Sequence, residues 1–420
     1  MKILFGLCCL LLVGVNGYAI GDESEEKTTG ITPVGIVVYQ GGQVNNPAYE
    51  NDHLRWTQDV LGVLGFKVQL SPRFNSVIAV RGKQWLVFQN PNDFNDDFNF
   101  SEVYGSYAVG GTPESPWFNL IGGISNVKYN QDAKHLGEYL LSSGAYSPWL
   151  VNNFAFPMYK AMGARVSSRL LDGKIRQDLV LSSERNYQPH GDYSLSYVAG
   201  VALGDFIDVG AGISYSRLIP VSWEKLEENI KTRYARDDSG EVIIEDGDTL
   251  RYTPRGMKLV ARASLDPKVL LPAIPFGPND LKIYSEIALL GVKNYGTTYD
   301  KRSERMPVMF GMHIPTFNCL DIFSFEIEYY NSPYRLIPDI NPDAKESVDA
   351  FVDRDNWRWA LYAKKTLIPG WSVTGLIASD HFRYPYEDGG YFEERMLAST
   401  HWHWRFRVTY DLGNSGLSFQ

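Results

Sequence analysis

The chain is 420 residues long, with 40 Lys or Arg and 49 Asp or Glu residues and a formal net charge of −9 at pH 7. Surfaces that bind nucleic acid are basic, so this acidic balance argues against nucleic acid as a partner. The sequence contains no metalloprotease, serine hydrolase, Walker or dinucleotide-binding motif, so it indicates no enzyme class and predicts no cofactor.

The N-terminal segment has the form of a secretory signal peptide. A single lysine precedes an apolar run over residues 3–15, and residues 17–19 read Gly-Tyr-Ala, with small residues at both ends of the tripeptide. We therefore predict a signal peptide over residues 1–19. The acidic and polar residues that follow predict a flexible periplasmic leader over residues 20–30.

Residues 31–420 predict one all-β domain, because segments with apolar residues at alternate positions recur and no sustained helical periodicity is found. The sixteen candidate strands cover residues 31–40, 56–70, 74–89, 98–109, 117–129, 150–171, 174–184, 193–203, 206–218, 250–265, 281–292, 305–314, 322–331, 356–365, 371–381 and 401–412. From the second strand onward, short turns alternate with longer loops, although the connection 266–279 is longer than this pattern requires. The pattern predicts a membrane-spanning antiparallel β-barrel of about 16 strands, with 14 as an alternative because the first two alternate poorly.

The last candidate strand alternates most regularly. Its apolar or aromatic positions are Trp402, Trp404, Phe406, Val408, Tyr410 and Leu412, and the positions between them are the polar His401, His403, Arg405, Arg407, Thr409 and Asp411. A strand that crosses a bilayer needs about 9–11 residues, whereas strands of soluble proteins usually have about 5–6. This segment therefore predicts a transmembrane strand with one face toward lipid and the other toward a watery lumen.

The order of strands and loops, and two particular segments, resemble porin-type bacterial outer-membrane β-barrel proteins. The segments are residues 130–140, Asn-Gln-Asp-Ala-Lys-His-Leu-Gly-Glu-Tyr-Leu, and the strand at residues 323–330. In such proteins the third external loop folds inward and narrows the channel. By this resemblance the loop at residues 130–148, with one or two helical turns over 133–141, is the candidate constriction, and an ordinary surface loop is the alternative.

The resemblance also implies insertion by the barrel-assembly machinery. In such proteins the last strand commonly ends on a terminal aromatic residue that this machinery reads. Here eight residues follow Leu412, and Phe419 is penultimate.

Charged and polar side chains recur on the predicted lumen face of several strands. The pore-lining candidates are Asp208, Glu326, Glu328, Arg358, Lys364, His401, His403, Arg405 and Arg407. Rings of charge select ions in pores, so these side chains would set up a transverse field across a channel. The alternative is that they solvate the interior and pair with one another, and the sequence leaves both readings open.

Two pairs among these residues also suggest other chemistry. His401 and His403 have a spacing that suits a metal ion, but no third ligand is near in sequence, so we expect a polar lumen wall and no metal site. Glu326 and Glu328 lie about 7 Å apart on one strand face, a separation found in glycoside hydrolases. Two glutamates at this spacing on an amphipathic strand more often form a wetted face, and we expect no catalysis.

A barrel of 16 strands encloses an aqueous interior, unlike one of 8. We therefore predict a porin-like channel in the cell outer membrane for passive diffusion of small hydrophilic solutes. The alternative is a non-conducting surface barrel that binds glycan or a protein partner through its external loops. The expected partners are outer-membrane lipid, a small hydrophilic solute and the assembly machinery, and a homo-oligomer is compatible with this fold.

Overall fold

The computed structural model describes residues 30–45, 55–87, 94–130, 132, 139–141, 159–183, 191–221, 244–245, 248–249, 256–292, 302–329, 357–379 and 402–412. The predicted signal peptide, the leader apart from Gly30, and His401 lie outside these residues, as do residues 133–138 of the predicted helical turns and the C-terminal segment with Phe419. Among the residues described, no helix is both long and apolar enough to cross a membrane.

The described residues are organised almost entirely as β-strands. In chain order the strands are β1 (Gly30–Asn45), β2 (Arg55–Ser71), β3 (Phe74–Val87), β4 (Phe94–Val109), β5 (Phe118–Val127), β6 (Tyr159–Leu170), β7 (Ile175–Ser183), β8 (Tyr193–Leu203), β9 (Ile207–Ile219), β10 (Ile244–Glu245), β11 (Asp248–Thr249), β12 (Gly256–Leu265), β13 (Ile283–Leu289), β14 (Val308–His313), β15 (Ile322–Tyr329), β16 (Trp357–Ile368), β17 (Trp371–Ser379) and β18 (Trp402–Leu412).

All strands except β10 and β11 join in one closed barrel of 16 strands. Each strand pairs antiparallel with its neighbours, and β1 closes the barrel against β18, with Gly35 opposite Leu412 and Asn45 opposite Trp402. β10 and β11 pair with each other as a small separate hairpin, which the sequence did not predict. The predicted all-β barrel of about 16 strands is confirmed, including the first two strands, whose alternation is weak.

Alternation along β9 explains how these residues make a barrel wall. Val209, Ala211 and Ile213 are exposed on one face, whereas Gly212 and Ser214 on the other face are buried. A soluble protein buries its apolar face, so this arrangement is inverted. It is the arrangement expected where the outer face meets lipid and the inner face meets polar groups.

Short and long connections alternate around the barrel, as predicted. We call the end with the short connections, such as those between β6 and β7 and between β8 and β9, the turn end, and the opposite end the loop end. Gly173 and Gly204 lie in these two turns with φ of +82° and +64°, where a glycine has no steric cost. The strand β6 is described from Tyr159 onward, and residues 150–158 of the predicted strand lie outside the described residues.

The long connection between β12 and β13, at the turn end, is anchored on Asp280. This side chain is buried and accepts hydrogen bonds from the amides of Gly277 (2.8 Å), Thr316 (3.1 Å) and Phe317 (2.9 Å). Burial by itself raises the pKa of the Asp280 carboxyl, but the amide hydrogen bonds outweigh it and lower the pKa below its usual value. The carboxylate thus ties this connection to the next turn, between β14 and β15.

Aromatic pairs lie at both ends of the outer face. At the loop end the ring centroids of Tyr329 and Trp357 are 4.8 Å apart, and at the turn end those of Trp371 and Tyr410 are also 4.8 Å apart. Outer-membrane barrels carry such aromatic girdles at the two membrane interfaces, on either side of an apolar band.

Candidate functional site

A contact between two distant strands identifies the inner face of the barrel. Tyr129 follows β5, and its hydroxyl donates a hydrogen bond of 2.5 Å to Glu286 on β13. Six strand-to-strand steps separate β5 from β13 along the wall, so the two side chains meet through the lumen. Positions in register with Glu286 therefore face the lumen on every strand.

Part of the connection between β5 and β6 lies inside the barrel. We call its described residues, Asn130, Asp132 and 139–141, the inward loop. The side chains of Tyr139 and Leu140 are 0% and 1% exposed, and both belong to a buried apolar cluster with residues of the inner wall. The described part of the predicted constriction loop thus occupies the lumen rather than the outer surface.

Leu140 docks on the inner wall at a glycine. A Cβ atom at Gly212 of β9 would lie 2.6 Å from Cδ2 of Leu140 and 2.9 Å from Cγ1 of Val260. No larger residue fits there without moving the loop or the wall. Gly212 therefore provides the space that Leu140 occupies, and we call it the socket of Leu140.

Three carboxylates hold the loop and the wall beside it. We call Glu286 of β13 and Glu326 and Glu328 of β15 the carboxylate wall, and each of the three is at most 1% exposed. Glu286 accepts hydrogen bonds from the side-chain amide of Asn130 (2.7 Å) and the backbone amide of Tyr139 (3.2 Å), in addition to Tyr129. Glu286 is thus the main anchor of the inward loop.

The other two carboxylates of this wall also bind phenol hydroxyls. The hydroxyl of Tyr139 donates to Glu328 at 2.8 Å, and that of Tyr284 donates to Glu326 at 2.7 Å. The ring of Tyr284 lies over Gly311, where a Cβ atom would come within 2.1 Å of it. Neutral donors thus satisfy charges that would be costly to bury alone.

A second anchor of the inward loop is an ion pair. Lys282, just before β13, approaches the carboxylate of Asp132 to 3.0 Å. With Glu286 it fixes the loop at two points on the same side of the barrel.

A row of inward-facing positions crosses the five strands β6, β7, β8, β9 and β12, on the side of β13 away from β14 and β15. Register partners along the row are Arg169 on β6, Arg176 on β7, Gly200 on β8, Gly210 on β9 and Arg262 on β12. Beside the row, Asp208 is hydrogen-bonded by Arg176 and forms an ion pair of 3.1 Å with Arg262. We call Arg169, Arg176, Arg262, Asp178 and Asp208 the arginine cluster.

Of the residues singled out from the sequence, Glu328 and Arg358 are brought together directly. They are register partners across β15 and β16 and form an ion pair of 3.4 Å, with both side chains at most 2% exposed. Asp208 is likewise paired, with arginines that the sequence had not singled out. For these residues the structure shows pairing within the wall, which was one of the two readings left open.

The remaining predicted residues lie on the wall of β16 and β18. His403 and Arg405 are buried on the inner face of β18, and Arg407 donates to Oε1 of Gln40 on β1 at 3.0 Å. Lys364 is in register with these inner positions through β17 and is partly exposed. A role in ion conduction stays a prediction for all of them.

Sequence reasoning missed Glu286, Arg176 and Arg262. Arg262 alternates with alanines on both sides, so the parity used for the last strand also applies to it, whereas Arg176 and Glu286 each have one polar neighbour. The inner positions between them include Val198, Val260 and Tyr284, and these apolar side chains blur the pattern. Within the described ranges, no group of three or more His, Cys, Asp or Glu side chains is placed to hold a metal ion.

No protein-family model matches the chain, and no curated protein matches it in sequence. Solved structures match it in three dimensions. OprB of Pseudomonas putida, in a high-pH structure, aligns with a TM-score of 0.52 and 9% identity over 91% of this chain and 94% of that chain. OmpF of Salmonella typhi, in complex with daunomycin, aligns with a TM-score of 0.50 and 11% identity over 91% of this chain and 98% of that chain.

The fold is that of a porin. At these identities the likeness establishes the fold, and the roles of individual residues follow from the lumen geometry. We take the lumen as the candidate functional site because the inward loop and the two charged groups beside it lie there.

Proposed function

We propose that this protein is an outer-membrane channel for passive diffusion of small hydrophilic solutes, and that the inward loop forms its constriction. The observation that carries the proposal is the position of this loop, which crosses the lumen from β5 and is anchored on Glu286 of β13. A loop held at membrane depth by buried carboxylates narrows the passage at a fixed point. Solutes then pass through the part of the lumen that the loop leaves open.

The outer face supports the placement in a membrane. Leu64, Phe66 and Phe310 are exposed there at 60%, 54% and 42%, between the two aromatic girdles. A continuous apolar band of this kind is unfavourable in water and suits a bilayer. We expect the mature chain, after removal of residues 1–19, to fractionate with the outer membrane and to show heat-modifiable migration in detergent gels. Recovery in a soluble fraction would contradict this placement.

Orientation can be measured on a native thiol. Cys319 is exposed in the connection between β14 and β15, at the turn end. If the turn end is periplasmic, a membrane-impermeant maleimide should label Cys319 only after the outer membrane is permeabilised, and a Cys319→Ser variant should remain unlabelled throughout. Labelling on intact cells would reverse the orientation.

Single-channel conductance in planar bilayers tests the constriction. Deleting residues 133–142 should raise the conductance because it removes the buried residues 139–141 from the lumen. A deletion of equal length at residues 335–344, in the connection between β15 and β16, is the matched control and should change conductance less. An equal change in both variants would remove the inward loop from the constriction, and a parent protein without conductance would favour the non-conducting surface barrel.

A further inference from the structure

Arg176 and Arg262 converge on one point of the lumen wall. They reach it from β7 and β12, on either side of Gly200 on β8 and Gly210 on β9. A Cβ atom at Gly200 would lie 3.0 Å from Nη2 of Arg262 and 3.5 Å from Nη2 of Arg176. A Cβ atom at Gly210 would lie 2.7 Å from Nε of Arg262. The two glycines thus open a shallow depression that both guanidinium groups enter.

One carboxylate serves both of these arginines. Asp208 is the ion-pair partner of Arg176 and of Arg262, so two positive charges face one negative charge. Among the neighbouring charges, Asp178 pairs with Arg169 at 3.0 Å. Glu286, the register partner of Arg262, accepts hydrogen bonds from neutral donors of Tyr129, Asn130 and Tyr139 and keeps its own charge. Within the depression itself, two guanidinium groups share the single carboxylate of Asp208.

Hydrogen-bonding capacity is also left over at this point. The Nε atoms of Arg176 and Arg262 are buried and have no hydrogen-bond partner among the described residues. The side chain of Arg262 is only 7% exposed, and a buried guanidinium with an unused donor is costly. Arg176 is 30% exposed, so the depression is open to the lumen on that side.

We propose that Arg176 and Arg262 bind the oxyanion group of a solute, a carboxylate or a phosphate, in this depression. A guanidinium group donates two parallel hydrogen bonds to such a group, and two converging guanidinium groups offer more donors than chloride can use. Gly210 lies two residues from Gly212, the socket of Leu140, so the depression is about 7 Å from the inward loop toward the turn end. A solute that has passed the constriction therefore meets the site next.

The delivery of the solute rests on the proposed channel function, but the binding itself does not. Calorimetric titration of the folded protein in detergent, with inorganic phosphate and with succinate in chloride buffer, measures binding without conduction. Saturable binding of either anion is expected, and the tighter of the two identifies the solute class. No saturable binding of either anion would overturn the proposal.

Two variants and one control locate the site. Arg262→Gln removes the buried charge and should weaken anion binding by about tenfold, the loss expected for one charge-assisted contact. Arg169→Gln removes the same charge from the same row, but Arg169 is already occupied by Asp178, so affinity should change by less than about twofold. Equal losses in the two variants would reduce the effect to general electrostatics and overturn the site.

A second variant, which keeps the charge of Arg262, tests the site even if Arg262→Gln fails to fold. Gly210→Ala places a methyl group against Nε of Arg262, which displaces the guanidinium while its charge remains. Affinity should fall although heat-modifiable migration is retained, and unchanged affinity would overturn the proposed geometry. In bilayers, phosphate should reduce the chloride current of the parent protein more than that of Gly210→Ala. A parent that binds phosphate without conducting would disprove the channel and leave the site intact.

Discussion

The arginine cluster and the carboxylate wall are neighbours in the lumen, because Arg262 of β12 and Glu286 of β13 are register partners. On one side, each carboxylate of the carboxylate wall accepts a hydrogen bond from a tyrosine hydroxyl, and Glu286 accepts two further ones from the inward loop. On the other side, Arg176 and Arg262 share Asp208 and retain unused donors. The two groups therefore differ in how far their hydrogen-bonding capacity is used.

This difference separates a structural role from a binding role. A buried charge whose hydrogen bonds are complete stabilises one arrangement and gains little from a solute. A buried charge with unused donors is costly until another group completes it. The carboxylate wall is thus suited to fixing the loop, and the arginine cluster to meeting a ligand.

The largest expected effect on stability comes from replacing Glu286, the anchor of the inward loop in the carboxylate wall. Glu286→Leu leaves the donors of Tyr129, Asn130 and Tyr139 without this acceptor, so the free energy of unfolding should fall by about 3–5 kcal/mol. Single-channel conductance should rise because the inward loop is released. Glu286→Gln keeps the volume and one acceptor oxygen and should do less on both measures. A stable Glu286→Leu barrel with parental conductance would show that Glu286 does not hold the loop.

A charge introduced on the outer face would have no hydrogen-bond partner at all. Val408 lies on the lipid side of β18, where it pairs with Val373 and Tyr39. Val408→Arg should impair folding into lipid vesicles by about 2–4 kcal/mol if that position lies near the bilayer midplane.

Arg407→Ser provides the matched change on the inner face. It removes the hydrogen bonds to Gln40 and should cost no more than about 1.5 kcal/mol, because the lumen supplies water. Comparable losses at Val408 and Arg407 would mean that the two faces have been exchanged.

Asp280 is a fully hydrogen-bonded carboxylate outside the spanning strands, and its contribution to stability should depend on pH. Its pKa is lowered in the folded protein, so its contribution to stability is complete above the unfolded pKa of about 3.9 and is lost as the pH falls through the folded value. Asp280→Asn should lower the free energy of unfolding by about 1–2 kcal/mol at pH 7. Denaturant titrations should show this difference shrinking as the pH falls below the unfolded pKa of about 3.9. A difference that is independent of pH would show that the charge of Asp280 does not matter.

The positive charges of β18 give a test of ion selectivity. Replacing Arg405 and Arg407 together by Ser should shift the reversal potential in a salt gradient toward cation selectivity, because positive charge in a confined pore concentrates anions. The shift should shrink near 1 M salt, where the screening length is about 3 Å. An unchanged reversal potential would place these two residues outside the ion pathway.

The sequence by itself determined the barrel. Side chains on a strand alternate between faces, so the period of residues 401–412 is a local property that needs no knowledge of neighbours. It placed His403, Arg405 and Arg407 on the face opposite Val408, and in the structure His403 and Arg405 are buried on the inner face. The alternation of short turns with long loops likewise follows from the order of strands in a closed antiparallel sheet.

Only the tertiary structure decided which inner residues meet. Parity places Glu328 and Arg358 on one face, but their contact depends on the register between β15 and β16. The contacts of Tyr129 and Tyr139 with the carboxylate wall cross the lumen, and they exist only because closure brings β5 opposite β13. The convergence of Arg176 and Arg262 needs four strands in register and two glycines between them. Alternation along a strand is set by the local backbone. Contacts across the barrel are set by its closure, which depends on all the strands together and cannot be read from one of them.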